Sequence, residues 1–174
     1  MSNNLNIAAA EVNVPYANHH PARGARTTTG INPYTGTWGK QEVVHLLKRT
    51  LFGAKRDDIT YFMGKSMSQS VDELLTPAAN PLPPVNAYTA QYNDPNVPYG
   101  QTWVNAAADP LAVFGRAVSL KSWWSGLMIN QGRSITEKMT LFWHNHFSTQ
   151  ITIYAEPRFG YKHLKTLRDN SLGN

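Results

Sequence analysis

The chain has 174 residues, of which 41% are hydrophobic, and it contains no cysteine. The lack of cysteine excludes a disulfide scaffold, a thiolate zinc site and an iron–sulfur cluster. Apolar runs extend over a few residues only, far short of the ~20 needed to cross a bilayer, so the sequence predicts no membrane span. The apolar residues 7–10 have no basic flank, and no signal peptide is therefore visible.

The formal net charge of +5 lies entirely in the last third of the chain. Residues 1–110 hold 8 basic and 8 acidic side chains, whereas residues 111–174 hold 8 basic and 3 acidic ones. These basic residues are spread over several predicted elements and do not form the dense, aromatic-containing stripe of a nucleic-acid interface. We therefore expect a solvated helical surface and no nucleic-acid partner.

The chain divides into an arm and a helical region. Residues 1–38 are rich in Asn, Thr, Gly and Pro and lack any sustained periodicity, which predicts an extended N-terminal arm. Residues 39–174 form the helical region, with a first helical unit at 39–76, a Pro-rich connector at 77–118 and a Trp- and His-rich helical unit at 119–174. The predicted fold is therefore mainly α, an irregular helical array.

Three helices are predicted in the first unit, because apolar residues recur there at helical spacing between capping signals. Their expected limits are Lys40 to a cap at Gly53, the acidic pair Asp57–Asp58 to Gly64, and Ser68 to Leu75. Leu74 and Leu75 are both expected to face inward.

The connector contains seven prolines, which leave little room for an uninterrupted helix or strand. A connection of this length within one domain is either a functional loop or a segment wrapped around the fold. The aromatic residues that could anchor a wrapped segment are Tyr88, Tyr92, Tyr99 and Trp103. The sequence leaves both alternatives open.

The last unit contains further predicted helices. Ser119 is the expected N-cap of one that stops at Gln131–Gly132. Ser134 and Glu137 have the spacing of a capping box, which starts a helix that runs to His146 or Phe147. Two more elements are expected, an extended piece over Gln150–Tyr154 and a helix around Tyr161 that ends near Asn170.

The geometry of two histidines depends on where the helix that contains them ends. On an unbroken helix, His146 lies on an apolar stripe with Ile135, Met139 and Phe142, and His144 lies about 160° away from it. The two rings could not then bind one ion. If the helix instead ends near Trp143, an extended chain places both rings on the same side.

A His-x-His pair in that extended geometry is a known way to hold zinc, iron or copper. The predicted metal ligands are His144, His146 and His163, with Glu137 or Glu156 as a carboxylate. The alternative is that the histidines are hydrogen-bonded core or capping groups, with Glu137 explained by its capping box and the nearby Trp and Phe rings by core packing. His45 is expected on a helix face or in the core, and His19–His20 falls in the arm.

Two long motifs resemble one family. Residues 45–54 (HLLKRTLFGA) and residues 134–148, with EKMTLFWHNHF at their centre, are similar to motifs of the bacterial domain-of-unknown-function 1800 family. Its members are mostly helical, several hundred residues long and often exported, and no established activity carries over. The resemblance implies that this chain is the front part of a larger helical protein, with the remaining C-terminal part as an expected partner.

The sequence assigns no activity, and two hypotheses follow. The first is a helical scaffold or binding protein in which the histidines hold the core together. The second is a metal-dependent enzyme, hydrolytic or oxidative. Its partial site would consist of His144, His146, His163 and Glu137 and would be completed by residues beyond Asn174.

Overall fold

A computed structural model describes residues 33–87, 93–149 and 156–173. The chain divides into two units, Met1–Gly36 and Thr37–Asn174. The predicted arm therefore lies almost wholly outside the described residues, as do His19–His20, Tyr88, Tyr92 and the predicted extended piece at 150–154. The described part of the second unit is helical, which confirms the mainly α prediction.

Six helices lie in the described part of the second unit. They are α1 (Lys40–Thr50), α2 (Arg56–Met63), α3 (Met67–Leu74), α4 (Val113–Ile129), α5 (Thr136–His146) and α6 (Pro157–Asp169). Extended pairing within the same residues is limited to one isolated bridge, between Val85 and Thr102. No helix of this part is long and apolar enough to cross a membrane.

The first three helices follow the predicted pattern with small shifts at their ends. α2 ends against Gly64 as expected, but α1 is capped by Leu51, not by Gly53. α3 begins one residue before the predicted start, because the Ser66 hydroxyl accepts from the Gln69 N–H and the Gln69 side chain accepts from the Ser66 N–H. The prediction that Leu75 faces inward is wrong, since this side chain is 51% exposed.

Two apolar clusters form the core. The first joins α1, α2 and α3, and the second joins the connector to α4 and α6. Their buried members are Val43, Leu47, Leu51, Phe62 and Leu74 in the first, and Val97, Trp103, Val104, Leu120 and Leu164 in the second. The start of α5 links the last helical unit to the end of α3. The Ile135 N–H donates to the Leu74 carbonyl, and the Ser134 hydroxyl donates to the Thr76 carbonyl.

The prediction that Ser119 is an N-cap is wrong. α4 starts almost two turns earlier, at Val113, and Ser119 lies buried inside it. Its hydroxyl accepts from the Trp103 indole N–H at 3.1 Å and donates to the Val85 carbonyl at 2.6 Å. Ser119 therefore fastens the connector to the helix.

The described part of the connector is wrapped against the helices. Asp94 forms a buried ion pair with Arg116 of α4, whose guanidinium also donates to the Ala107 carbonyl. Trp103 is fully buried, as expected for an anchor. Tyr99 is 63% exposed and does not act as one.

Candidate functional site

A cavity of about 160 Å³ lies where α4, α5 and α6 meet. α4 contributes Trp124, α5 contributes His144 and α6 contributes His163 to its wall. The other lining residues are Leu120, Lys121, Thr149, Gly160 and Leu164. Gly160 precedes His163 by one helical turn and has no side chain to fill the space.

α5 turns a polar face inward. Thr136, Glu137 and Thr140 are its buried residues, and His144 continues the same face because it follows Thr140 by four positions. The apolar stripe of α5 is half-buried at Ile135 and Met139 and exposed at Phe142 and His146, with Phe142 54% exposed. The expectation that the Phe142 ring packs in the core is therefore wrong.

Several polar groups on the inward face of α5 find hydrogen-bond partners there. The Thr140 hydroxyl donates to the Thr136 carbonyl at 2.8 Å, and the Thr136 hydroxyl accepts from the Ala78 N–H at 3.0 Å. Arg168 of α6 pairs with Glu137 Oε1 at 2.8 Å, while Glu137 Oε2 is buried without a partner among the described residues. Buried polar groups are tolerated when they are hydrogen-bonded in this way.

Three rings form a chain along the cavity wall. Trp124 packs edge-to-face on His144 with centroids 4.7 Å apart, and His144 packs on His163 with centroids 5.7 Å apart. The two imidazoles come from different helices, so only tertiary packing brings them together. The structure thus joins two of the four predicted metal ligands.

Each of these three rings has a buried nitrogen that lacks a hydrogen-bond partner among the described residues. The atoms are Trp124 Nε1, His144 Nδ1 and His163 Nε2. Burial lowers the pKa of His144 below its usual value, and the neighbouring His163 lowers that pKa further. His144 is therefore a neutral imidazole at pH 7, the form that binds metal ions.

His146 lies apart from this pair. α5 is unbroken to His146, so the alternative in which the chain becomes extended after Trp143 is wrong. The His146 ring is exposed and packs on Trp143 and Phe147. With side chains two positions apart on one helix, His144 and His146 do not face a common ion.

Glu137 also lies apart, and its predicted capping box is wrong. Ile135 is the N-cap residue of α5, while the Ser134 hydroxyl bonds to Thr76 and Thr136. Arg168 holds Glu137 Oε1 and donates its remaining hydrogen bonds to Asn80 and to the Ala79 carbonyl. This carboxylate therefore joins α5, α6 and the connector.

The alternative carboxylate, Glu156, is held at the N-terminus of α6. It forms two side-chain hydrogen bonds with Arg158, each 2.9 Å long, and it also accepts from the Arg158 N–H. The hydrogen bonds from Arg158 lower the pKa of Glu156 against the effect of burial. Across the described ranges, no group of three or more His, Cys, Asp or Glu side chains is placed to hold a metal ion.

Sequence reasoning missed two polar residues of the cavity, Lys121 and Thr149. Lys121 follows Leu120 on α4 and precedes Trp124 by three positions. The helical spacing that groups Leu120 with Trp124 therefore also places Lys121 beside these two residues. No sequence signal indicates Thr149, which follows the end of α5. His45 lies exposed on α1, in agreement with a helix-face position.

The helical fold and the two sequence motifs together indicate one protein family. Residues 45–174 match the family model for a protein of unknown function, DUF1800. The chain belongs to this family. No curated protein and no solved structure matches the chain.

Proposed function

We propose that this chain is a binding protein whose site, formed by His144 and His163, holds a divalent transition-metal ion. The observation that carries the proposal is a pair of buried imidazole nitrogens that have no hydrogen-bond partner among the described residues, in two rings that line one cavity. A buried polar atom without a partner costs free energy, and a bound ion would satisfy both atoms.

The ring spacing is compatible with one shared ion. An ion at about 2.1 Å from a ring nitrogen lies about 3.3 Å from the ring centroid, so two ligating rings have centroids up to about 6.5 Å apart. The centroids of His144 and His163 are 5.7 Å apart. Neutral imidazole suits zinc, copper, nickel and cobalt better than calcium or magnesium, which supports a transition metal.

The position of the other predicted ligands favours binding over catalysis. The enzyme hypothesis counts His146, and optionally Glu137, among its ligands, but His146 packs on the outer side of α5 and Glu137 Oε1 is paired with Arg168. A two-histidine site leaves the remaining coordination positions to water or to a small ligand.

Cobalt binding tests the proposal. Co²⁺ is added to the protein and to His144→Ala and His163→Ala, and bound metal is measured by equilibrium dialysis and by visible absorption. All proteins carry His19→Ala and His20→Ala, because two adjacent histidines bind transition ions on their own. We expect one ion per chain and a loss of affinity of at least about a hundredfold in either variant, more than supporting residues usually cause.

His146→Ala and His45→Ala are the matched controls, since both remove an exposed histidine from a helix. We expect both to bind Co²⁺ as the parent does. Circular dichroism and thermal unfolding confirm that each variant is folded. Equal affinity in the parent and in His144→Ala would overturn the proposal, and so would a loss of binding in His146→Ala.

A further inference from the structure

The cavity is larger than an ion requires. A water molecule takes up about 30 Å³ in the liquid, so the cavity of about 160 Å³ corresponds to about five waters. An ion that is held between His144 and His163 leaves most of this volume free. The site therefore has room for a further small ligand.

The cavity wall has the wrong charge to complete the shell of a cation by itself. None of the described residues that line it is acidic, and Lys121 contributes a positive charge from an exposed position on α4. A dipositive ion beside this ammonium would leave a site with excess positive charge. An anion relieves that excess, because it is attracted by both charges.

Apart from Thr149, the rest of the described wall is mainly apolar. Leu120 and Leu164 line the cavity from α4 and α6, and the Trp124 ring lies beside them. Such a wall favours a ligand that combines an anionic group with a short hydrocarbon part. Inorganic phosphate has the charge but no apolar surface to bury there.

We infer, on the basis of the proposed metal site, that the cavity takes a short-chain carboxylate. Its carboxylate group binds the ion held by His144 and His163 and is attracted by the Lys121 ammonium. Its alkyl part packs against Leu120 and Leu164. The site is thus selective for small organic acids over inorganic oxyanions.

The test uses the Co²⁺-loaded protein and three carboxylates of rising length, acetate, propionate and butyrate, with inorganic phosphate for comparison. Ligand exchange at the ion is followed by the visible absorption of Co²⁺. Affinity should rise about fourfold for each added methylene until the cavity is full, because each buried methylene adds a similar transfer free energy. Phosphate should bind more weakly than propionate.

Lys121→Gln removes the positive charge from the rim, and Lys162→Gln removes an exposed charge from α6 as the matched control. We expect propionate to bind about threefold more weakly to Lys121→Gln, as for a partly exposed ion pair, and unchanged to Lys162→Gln. Co²⁺ affinity without propionate should stay at the parent value in Lys162→Gln and should not fall in Lys121→Gln, because the charge removed there repels the ion.

The outcomes separate the two proposals. Failure of the parent to bind Co²⁺ would overturn the metal site and the inference together. Normal Co²⁺ binding with equal affinities for phosphate and propionate, or with no effect of Lys121→Gln, would overturn the inference alone. Propionate that binds equally well without Co²⁺, as read from Trp fluorescence, would also contradict it.

Discussion

Two regions of the protein bury polar groups in opposite ways. The first region, the connector network, consists of the Pro-rich connector and the side chains of Arg116, Ser119, Glu137 and Arg168. Its two guanidinium groups, of Arg116 and Arg168, are nearly fully buried, and each makes three hydrogen bonds within the described chain. In the histidine cavity, His144 and His163 each have a buried nitrogen without such a partner. The first region uses buried guanidinium groups to fix the chain, although Glu137 Oε2 there also has no partner among the described residues. The second region places its unpartnered nitrogens in rings that line a cavity.

This difference explains how hydrogen bonds from the helices hold the Pro-rich connector in place. It contributes little regular structure, so its backbone and side-chain oxygens are the groups that the helices can bind. Arg116, Ser119 and Arg168 supply the donors for Ala107, Val85 and Ala79 respectively. The connector network therefore replaces secondary structure, and its loss should cost more than the loss of any group in the cavity.

Arg116→Met should have the largest effect. It leaves the Asp94 carboxylate buried without its cation, which typically costs about 3–5 kcal/mol of unfolding free energy. Urea unfolding measures the loss. The control is Lys165→Met, which breaks the exposed Lys165–Asp169 pair on α6 and should change stability by no more than about 0.5 kcal/mol. A similar cost for the two variants would contradict the comparison.

The Arg116–Asp94 pair should also make stability depend on pH. Burial acts to raise the pKa of Asp94, but hydrogen bonds from Arg116 and from the Asn96 N–H outweigh it and hold this pKa below its usual value. A lowered carboxyl pKa stabilises the fold above the unfolded pKa of about 3.9, and this stability is lost as the pH falls through the folded value.

Urea unfolding of the parent and of Arg116→Met at a series of pH values from 7 downward tests this dependence. The stability difference between them should shrink as the pH falls toward the lowered pKa of Asp94 in the parent, because protonation of Asp94 removes the charge that Arg116 balances. Asp94→Asn should show a flatter profile than the parent. A stability difference that stays constant with pH would contradict the assignment.

Glu137→Gln should have an intermediate effect, because the uncharged amide weakens the hydrogen bond from Arg168. Hydrogen bonds to charged groups contribute about 1.5–3 kcal/mol, and we expect a loss in this range in urea unfolding. Co²⁺ affinity should not change, since Glu137 serves the connector network. A loss of Co²⁺ binding in folded Glu137→Gln would instead support Glu137 as a metal ligand.

The sequence predicts where the helices of this fold lie better than it predicts which face of each helix is buried. α1 and α2 follow from apolar spacing and from stop signals such as Gly64, which act within a few residues. The start of α4 was missed because Ala112 gives no side-chain cap and the buried Arg116 does not look like a core residue. Its burial depends on Asp94, 22 positions earlier in the chain.

The site shows the same limit. His144 and His163 were both named from the sequence, but as part of a set with His146 and Glu137. Apolar periodicity does not predict the inward polar face of α5, because it cannot register that Arg168 of α6 holds Glu137 Oε1. The packing of α5 on α6 determines that His144 lies beside His163. No local sequence pattern encodes this tertiary contact.

His144→Leu should have the smallest effect on stability and a large effect on binding. Leucine buries a similar volume without an unpartnered nitrogen, so we expect unfolding free energy to change little or to rise by up to about 1 kcal/mol. Co²⁺ binding should be lost. Thermal unfolding and dialysis on the same sample measure both, with His146→Leu as the exposed control. A loss of more than about 2 kcal/mol would show that the His144 imidazole is satisfied within the fold, and the contrast with the connector network would then fail.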